Sequence, residues 1–218
     1  MIDSTATQLA LRARMLTLSV AATGSTSLAR TTTGYTRAAG SFVTDGFAPG
    51  MELLEAGFPT NGYQVVTAVA AGTLTVSGTL TASASAASRS LTAGLPQARA
   101  YDNVALTPTA GRPYIEEDFI PATATVYTAP IRRGHTVETG LYVIKWFGLS
   151  SYGITAIRKS VDALKALFAP GTAFSSGAVR IRGNPGPYAG QITPIDGGWS
   201  YCVLTIPWTA QSTNSIAA

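Results

Sequence analysis

Near the C-terminus, apolar and polar residues alternate in two stretches. The first is Ala178–Arg182 and the second is Trp199–Trp208. A Pro/Gly-rich connection joins them, and alternation with period two bounded by Gly and Pro is typical of antiparallel strands. We therefore expect these stretches to close a sheet whose last strand packs against another layer.

Two further stretches have helical spacing of their apolar positions. Residues 3–18 carry one apolar face, with Ser4 or Thr5 as the expected N-cap. Residues 154–168 repeat apolar side chains every three or four positions, and Ala169-Pro170-Gly171 ends the pattern. We predict one helix from each stretch.

Between the first helix and Leu95 the composition shifts to Thr, Ser, Ala and Gly. Tyr63–Val69 and Gly72–Val76 predict a hairpin, and Asn61-Gly62 before it is a turn dipeptide. Short strands with frequent turns indicate a small β-barrel or sandwich. Residues 77–90 are low in complexity and are typical of either an exposed hairpin arm or a linker.

The later strand patterns, Tyr114–Ala122 and Thr136–Phe147, complete the predicted fold class, which is α+β. We expect a mostly antiparallel sheet with two helices packed on it, plus an inserted small all-β barrel or sandwich module. The predicted domains are a discontinuous α+β unit, residues 1–18 and 95–218, and a β-rich insert, residues 19–94.

Composition narrows the possible functions. Of the 218 residues, 46% are hydrophobic but only 12% are charged, about half the usual globular share, which favours a surface partly covered by partners. The net charge of +4 is spread without a strong basic stripe for nucleic acid, and a single cysteine excludes an internal disulfide framework. The start has no basic, apolar leader pattern and no run is long enough to span a bilayer, so we expect a soluble protein made in a reducing cytoplasm.

The one dense acidic group is Glu116-Glu117-Asp118, within the strand Tyr114–Ala122. Strand alternation puts Glu116 and Asp118 on one face and Glu117 on the other. Paired carboxylates serve some hydrolases, but such pairs flank a cleft and have separated pKa values. The pattern favours a charged edge that pairs with arginines of a neighbouring subunit.

Other candidate chemistry is weaker. The single histidine, His135, has no nucleophile elbow to serve, and its position favours a solvated loop histidine. The Cys and His counts exclude an ordinary zinc site, and the Gly-rich segment 183–190 lacks the lysine of a phosphate loop. The three tryptophans sit in strand patterns, which favours core or interface packing over a sugar platform. We expect no catalytic, cofactor or metal residues, and an interface that includes Glu116, Asp118, Arg132, Arg133, Trp199 and Trp208.

From Leu95 onward the chain resembles the tail terminator proteins of long-tailed, lambda-like bacteriophages. The resemblance rests on four segments in the family's order, together with the helix at residues 3–18. The segments are Tyr101–Val104 with Pro108 and Arg112–Glu116; Gly140–Phe147; Ala166–Phe174; and Val179–Ile181 with Gly197–Trp199 and Thr205–Trp208. The departure is residues 19–94, where small terminators have a short connection, and parts of this segment resemble β-barrel modules that decorate other phage structural proteins.

The resemblance implies a virion protein without enzymatic activity, assembled in the host cytoplasm. It implies a ring, usually of six copies, at the head-proximal end of the tail tube, which stops tube growth and meets the head connector. The implied partners are further copies of the chain, the tail tube protein and a head completion protein. Genomic DNA would pass through the lumen without specific binding, and no membrane is involved.

Two other functions remain open at the level of sequence. In one, the chain is a phage tail or neck decoration, or a binding module whose insert at residues 19–94 recognises a carbohydrate or a host surface. In the other, it is a hydrolase that uses Glu116 or Asp118.

Overall fold

The computed structural model describes residues 2–24, 26–58, 63–101, 104, 106–122, 125–127, 133–176, 179–183 and 185–215. It is mostly β, with two helices, so the α+β class is confirmed at that level. The helices are α1 (Ser4–Leu16) and α2 (Thr155–Leu167). The strands are β1 (Ala21–Ala22), β2 (Thr26–Arg30), β3 (Gly34–Arg37), β4 (Glu52–Ala56), β5 (Tyr63–Val69), β6 (Thr73–Val76), β7 (Ser83–Ala93), β8 (Ala98–Ala100), β9 (Tyr114–Pro121), β10 (Thr125–Tyr127), β11 (Arg133–Leu149), β12 (Ala173–Ser176), β13 (Val179–Gly183), β14 (Tyr188–Ala189), β15 (Thr193–Ile195) and β16 (Trp199–Ser215).

Strands β2 to β7 close into a six-stranded antiparallel barrel. Its order is β7-β2-β3-β6-β5-β4, and β4 pairs back onto β7, while β1 adds to β7 outside the barrel. The predicted hairpin at residues 63–76 is confirmed as β5 and β6. Most of the low-complexity segment 77–90 is neither an arm nor a linker, because β7 begins at Ser83 and completes the barrel wall.

The barrel interior combines apolar side chains with a buried ion pair. Arg30 Nη1 lies 2.8 Å from Glu55 Oε2, and the hydroxyl of Tyr35 donates to the other oxygen of Glu55. Burial, followed by the hydrogen bond to Glu55, raises the pKa of Tyr35, so this hydroxyl stays a donor. The ring of Phe58 lies under the guanidinium groups of both Arg30 and Arg89. The charges therefore have partners, as burial requires.

A second sheet contains β8 to β16, in the central order β12-β13-β16-β11-β9-β8. Its core is the antiparallel pair β11 and β16, which stay in register from Arg133 opposite Ser215 to Leu149 opposite Trp199. Among the described strands of this sheet, all pairings are antiparallel except that of β8 with β9, which is parallel. The strand predicted over residues 136–147 is thus confirmed and is longer than expected.

Alternation along β11 and β16 gives the second sheet two unlike faces. The face toward the helices, here called the inner face, buries Tyr142, Ile144 and Trp146 of β11 with Cys202, Leu204, Ile206 and Trp208 of β16. The other, outer face carries the intervening residues. Helix α2 packs Ile157 and Leu164 into the core, and α1 adds Leu11 and Met15. Both predicted helices are confirmed, although Asp3 caps α1 in place of the expected Ser4 or Thr5.

Pro207 interrupts the long strand β16 without breaking it. Strand β14 pairs with β16 up to Thr205 and β13 pairs from Trp208 onward, so Pro207 lies in the gap between them. The backbone groups of Val203 and Pro207 point to the same edge of β16, because the two residues are four positions apart. At Val203 this edge faces away from β11, since its carbonyl oxygen accepts from the backbone N–H of Gly190. The nitrogen of Pro207 therefore faces the gap, where no ladder hydrogen bond is lost.

Gly140 makes room for a fully buried tryptophan. Trp208, directly opposite it, is 1% exposed, and its ring stacks on Phe119 at 5.1 Å between centroids. A Cβ at position 140 would overlap the Trp208 ring and lie 2.5 Å from the carbonyl oxygen of Ile120. Trp208 was expected at an interface, but the structure places it in the core, so its ring offers no surface to a partner.

We predict that Gly140→Ala lowers the free energy of unfolding by about 2 kcal/mol, because a methyl group is forced into a filled core. Chemical denaturation measures the change. Gly190→Ala is the matched control: Gly190 also lies beside β16, but its added Cβ would meet only the carbonyl oxygen of Val203, at 3.8 Å. The control should change stability by less than about 0.5 kcal/mol. Equal effects of the two substitutions would contradict this account of the core.

Candidate interaction surface

The acidic triplet on β9 is divided between the two faces of the second sheet. Glu117 is 1% exposed on the inner face, whereas Glu116 and Asp118 lie on the outer face with side chains 36% and 44% exposed. The predicted alternation is therefore confirmed. The buried carboxylate and the exposed pair have different neighbours, and they have to be considered separately.

Glu117 anchors the first helix to the sheet. Its Oε2 atom accepts from Arg12 Nε of α1 at 2.8 Å and from the Tyr142 hydroxyl of β11 at 2.6 Å. Burial, followed by the charge of Glu117, raises the pKa of Tyr142 and keeps its proton on the hydroxyl. The Arg12 guanidinium also lies 4.2 Å from the centre of the Tyr101 ring. These contacts give Glu117 a structural role on the helix-covered side.

Glu116 and Asp118 are bridged within their own chain. Lys145 of β11 lies between them, with Nζ 3.4 Å from Glu116 Oε2 and 3.2 Å from Asp118 Oδ2. Burial disfavours the ammonium, but the hydrogen bonds and charges of Asp118 and Glu116 outweigh it and raise the pKa of Lys145. Two carboxylates and one ammonium leave this row with a net negative charge. The sequence analysis did not predict that Lys145 pairs with these carboxylates. The only available signal was that Lys145 lies in another predicted strand, Thr136–Phe147.

An aromatic row crosses the outer face next to the acidic row. Tyr114, Phe147 and Tyr201 are opposite one another on β9, β11 and β16. Phe147 stacks on Tyr114 at 4.4 Å and on Tyr201 at 5.6 Å, and half-buried Trp199 meets Tyr114 edge to face. Of the two tryptophans expected at an interface, Trp199 lies in this row and keeps part of its ring exposed.

Of the two expected arginines, only Arg133 falls within the described residues. Arg132 is outside the described residues, and Arg133 is described only through its backbone, opposite Ser215 at the start of β11. His135, also on β11, is likewise described only through its backbone, opposite Thr213. The structure thus brings Glu116 and Asp118 together with Lys145 and places Trp199 in the neighbouring row, while the positions of the arginine side chains stay predictions.

Other possible reactive groups have ordinary structural surroundings. Cys202 lines a cleft of about 420 Å³ beside α2, together with Arg158, Asp162 and Lys165. Its Sγ lies 3.3 Å from the carbonyl oxygen of Gly190, and burial raises the pKa of its thiol, which disfavours a reactive thiolate. Within the described ranges no group of three or more His, Cys, Asp and Glu residues could hold a metal ion. Likewise, no helix there is long and apolar enough to cross a bilayer.

We predict that Glu117→Gln lowers the free energy of unfolding by about 2–3 kcal/mol, because it removes the buried partner of a cation. The neighbouring change Glu116→Gln should cost less than about 1 kcal/mol, because its ion pair is exposed to solvent. Thermal unfolding of the two variants in one buffer makes the comparison. Similar losses for both would show that Glu117 does not anchor the helix.

Comparison with known proteins gives one informative match. A family model described as phage tail terminator protein matches residues 79–208, from just before β7 to Trp208 of β16. A solved structure without a descriptive name is 22% identical to this chain, over 53% of this chain and 79% of that chain, at a TM-score of 0.42. Likeness at that level carries nothing about function. No curated protein matches the chain.

Proposed function

Because this chain belongs to the phage tail terminator proteins, we propose that it closes into a ring of six copies at the head-proximal end of a long, non-contractile tail. The family comprises structural phage tail proteins, which makes this chain a component of the virion. In the ring it stops growth of the tail tube and offers a surface to the protein that completes the head. The observation that carries the proposal is the family match over residues 79–208.

The physical character of the chain supports such a role. A closed ring requires two different surfaces on each copy, so that the front of one meets the back of the next. The second sheet has dissimilar ends: β12 at one end and β9 with the short β8 at the other. A charged fraction of only 12% also suits a surface that is largely covered after assembly. The modest net charge of +4 suits a lumen through which DNA slides without being held.

We predict that the purified chain forms particles of about 135 kDa, which corresponds to six chains of 22.5 kDa. Native mass spectrometry measures the mass, and negative-stain microscopy shows whether the ring is closed. Added to growing tubes of the phage's own tube protein, the chain should cap them and stop their elongation. A protein that stays monomeric at all concentrations and leaves tube growth unchanged would refute the proposal.

We also propose that residues 19–94 are an accessory module inserted into a terminator unit formed by residues 1–18 and 95–218. The two ends of the module are adjacent: Val20 N donates to Ala93 O at 2.7 Å, and a Cβ on Gly94 would lie 2.5 Å from Leu18 O. The chain thus leaves the unit and returns to it at one point. Helix α1, which precedes the module, contacts the second sheet through Arg12 and Met15.

Among the described residues, polar contacts and the cation–π contact of Arg112 with Tyr63 join the module to the rest of the chain. Glu52 of β4 accepts from Arg112 Nε at 2.7 Å and from the backbone of Gln97 at 2.7 Å, and Lys159 of α2 donates to Gly46 O at 2.6 Å. Gly50 packs close to Tyr152 and Ala156. These contacts stabilise the position of the module on the rest of the chain. The carboxylates on the outer face of the second sheet stay exposed and can contact other proteins during assembly.

We predict that replacing residues 19–94 with a short Gly/Ser linker gives a folded protein that still forms rings of the same copy number. The reason is that the linker needs to span only the short gap between Leu18 and Leu95. Circular dichroism checks the fold and native mass spectrometry the copy number. The intact chain is the reference. A folded deletion variant that stays monomeric would mean that the module builds the ring.

A further inference from the structure

Two arginines on β13 form an exposed basic pair on the outer face. Arg180 and Arg182 are both exposed, whereas Ile181 between them is buried on the inner face. In the part of the chain that the structure describes, neither guanidinium group has an acidic partner. Arginine has a planar donor fork suited to carboxylates, so an unpaired arginine pair on a surface is well adapted to an acidic partner.

Among the described residues, only small side chains of the outer face stand between this pair and the end of the sheet. The next strand, β12, is the last one, and it places Ser175 opposite Arg180 and Ala173 opposite Arg182. Both neighbours have small side chains. The two guanidinium groups can therefore extend over β12 toward whatever lies beyond that end.

The acidic row on β9 lies on the same face but too far away to meet these arginines within one chain. Strands β16 and β11 separate β13 from β9, which makes three strand spacings, or about 14 Å. The register adds to this, because Arg182 is level with Thr139 of β11 while Asp118 is level with Val143, about 13 Å further along. The two charged pairs therefore cannot neutralise each other inside a single copy.

The two pairs nevertheless match in charge and spacing. Arg180 and Arg182 are two residues apart on one strand face, and so are Glu116 and Asp118, which gives about 7 Å within each pair. Lys145 contacts one oxygen of each carboxylate and holds the row in place, while the row keeps its net negative charge. Two arginine–carboxylate contacts can form together if a second copy lies alongside.

We propose that Arg180 and Arg182 of one copy bind Glu116 and Asp118 of the next copy, and that this contact, repeated head to tail, closes the ring. The proposal rests on the proposed function and names the two surfaces that such a ring requires. Each copy contributes its basic end to one neighbour and its acidic end to the other, as a heterologous interface demands. The match of charges selects a second copy of this chain as the partner.

Charge reversal tests the contact. The first variant, R180E/R182E, makes both surfaces acidic. The second, E116K/D118K/K145E, inverts the acidic row while keeping an ion pair of opposite sign at the same three positions. Each variant alone should assemble at least tenfold more weakly than the intact chain, because like charges then face each other. A 1:1 mixture should restore rings in which the variants alternate, with an even number of copies, as seen by native mass spectrometry.

The matched control for R180E/R182E is R158E/K165E. It makes the same change in net charge, but on α2, away from the outer face. It should assemble like the intact chain. Ring formation by the intact chain should also weaken with added salt, because ions screen the contact. If a charge-reversed variant fails to unfold cooperatively, a neutral variant replaces it: R180Q/R182Q for the basic pair, or E116Q/D118Q for the acidic row. The neutral variant should assemble more weakly than the intact chain, and its assembly should depend less on salt.

The outcomes separate the inference from the proposed function. If the intact chain forms no ring and caps no tube, the proposed function fails. If the intact chain forms rings and both reversed variants do so equally well, only the arginine–carboxylate contact is refuted. Variants that fail singly and stay apart when mixed refute it too. Rings of R180E/R182E that form normally but fail to join heads or retain DNA would assign the arginines to another partner and overturn the inference.

Discussion

The pairing of β11 with β16 is the contact on which the rest of this molecule depends. Seventeen residues of each strand stay in register without a bulge, from Arg133 opposite Ser215 to Leu149 opposite Trp199. Because side chains alternate strictly along a strand, this one register decides which residues of both strands face the helices and which face outward. A slip by one residue would bury Lys145 and expose Trp146, so the hydrophobic pattern holds the register firmly.

The inner face then determines where the helices lie. Met15 and Arg12 of α1 meet Tyr142 and Glu117 of the sheet, so an apolar contact and a charged one hold the helix at the same place. Arg14 extends this contact to the end of α2 by donating to the carbonyl oxygen of Leu167 at 3.0 Å. The buried charge of Glu117 is tolerated because two donors satisfy one of its oxygens. The two helices thus form a layer on the inner face of the second sheet, and they do not cover its outer face.

The barrel solves a different problem, which is how a Thr-, Ser- and Ala-rich segment forms a stable unit. It closes on itself through β4 and β7, which removes most exposed strand edges. Its interior includes a buried Arg30–Glu55 pair and two arginines around Phe58. The apolar core of the barrel is continuous with the core of the second sheet and the helices, and the contacts of Glu52, Lys159 and Gly50 add to that packing.

The sequence alone determined the elements with strong local signals. The periodic helix at residues 154–168, the hairpin at 63–76 and the alternation of Glu116, Glu117 and Asp118 all follow from spacing that neighbouring residues impose. It did not identify β2 or most of β7, because runs such as Ser83–Ser88 have small side chains and little alternation; barrel closure makes them strands. Alternation puts Trp199 and Trp208 on opposite faces of the strand, but it does not tell which of the two faces the helices cover. Only the fold stacks Trp208 on Phe119 over Gly140 and leaves Trp199 half exposed. The same holds for Lys145 beside the acidic pair and for Arg180 and Arg182 at the other end of that face. Their relation depends on strand order and register, which are contacts between distant parts of the chain.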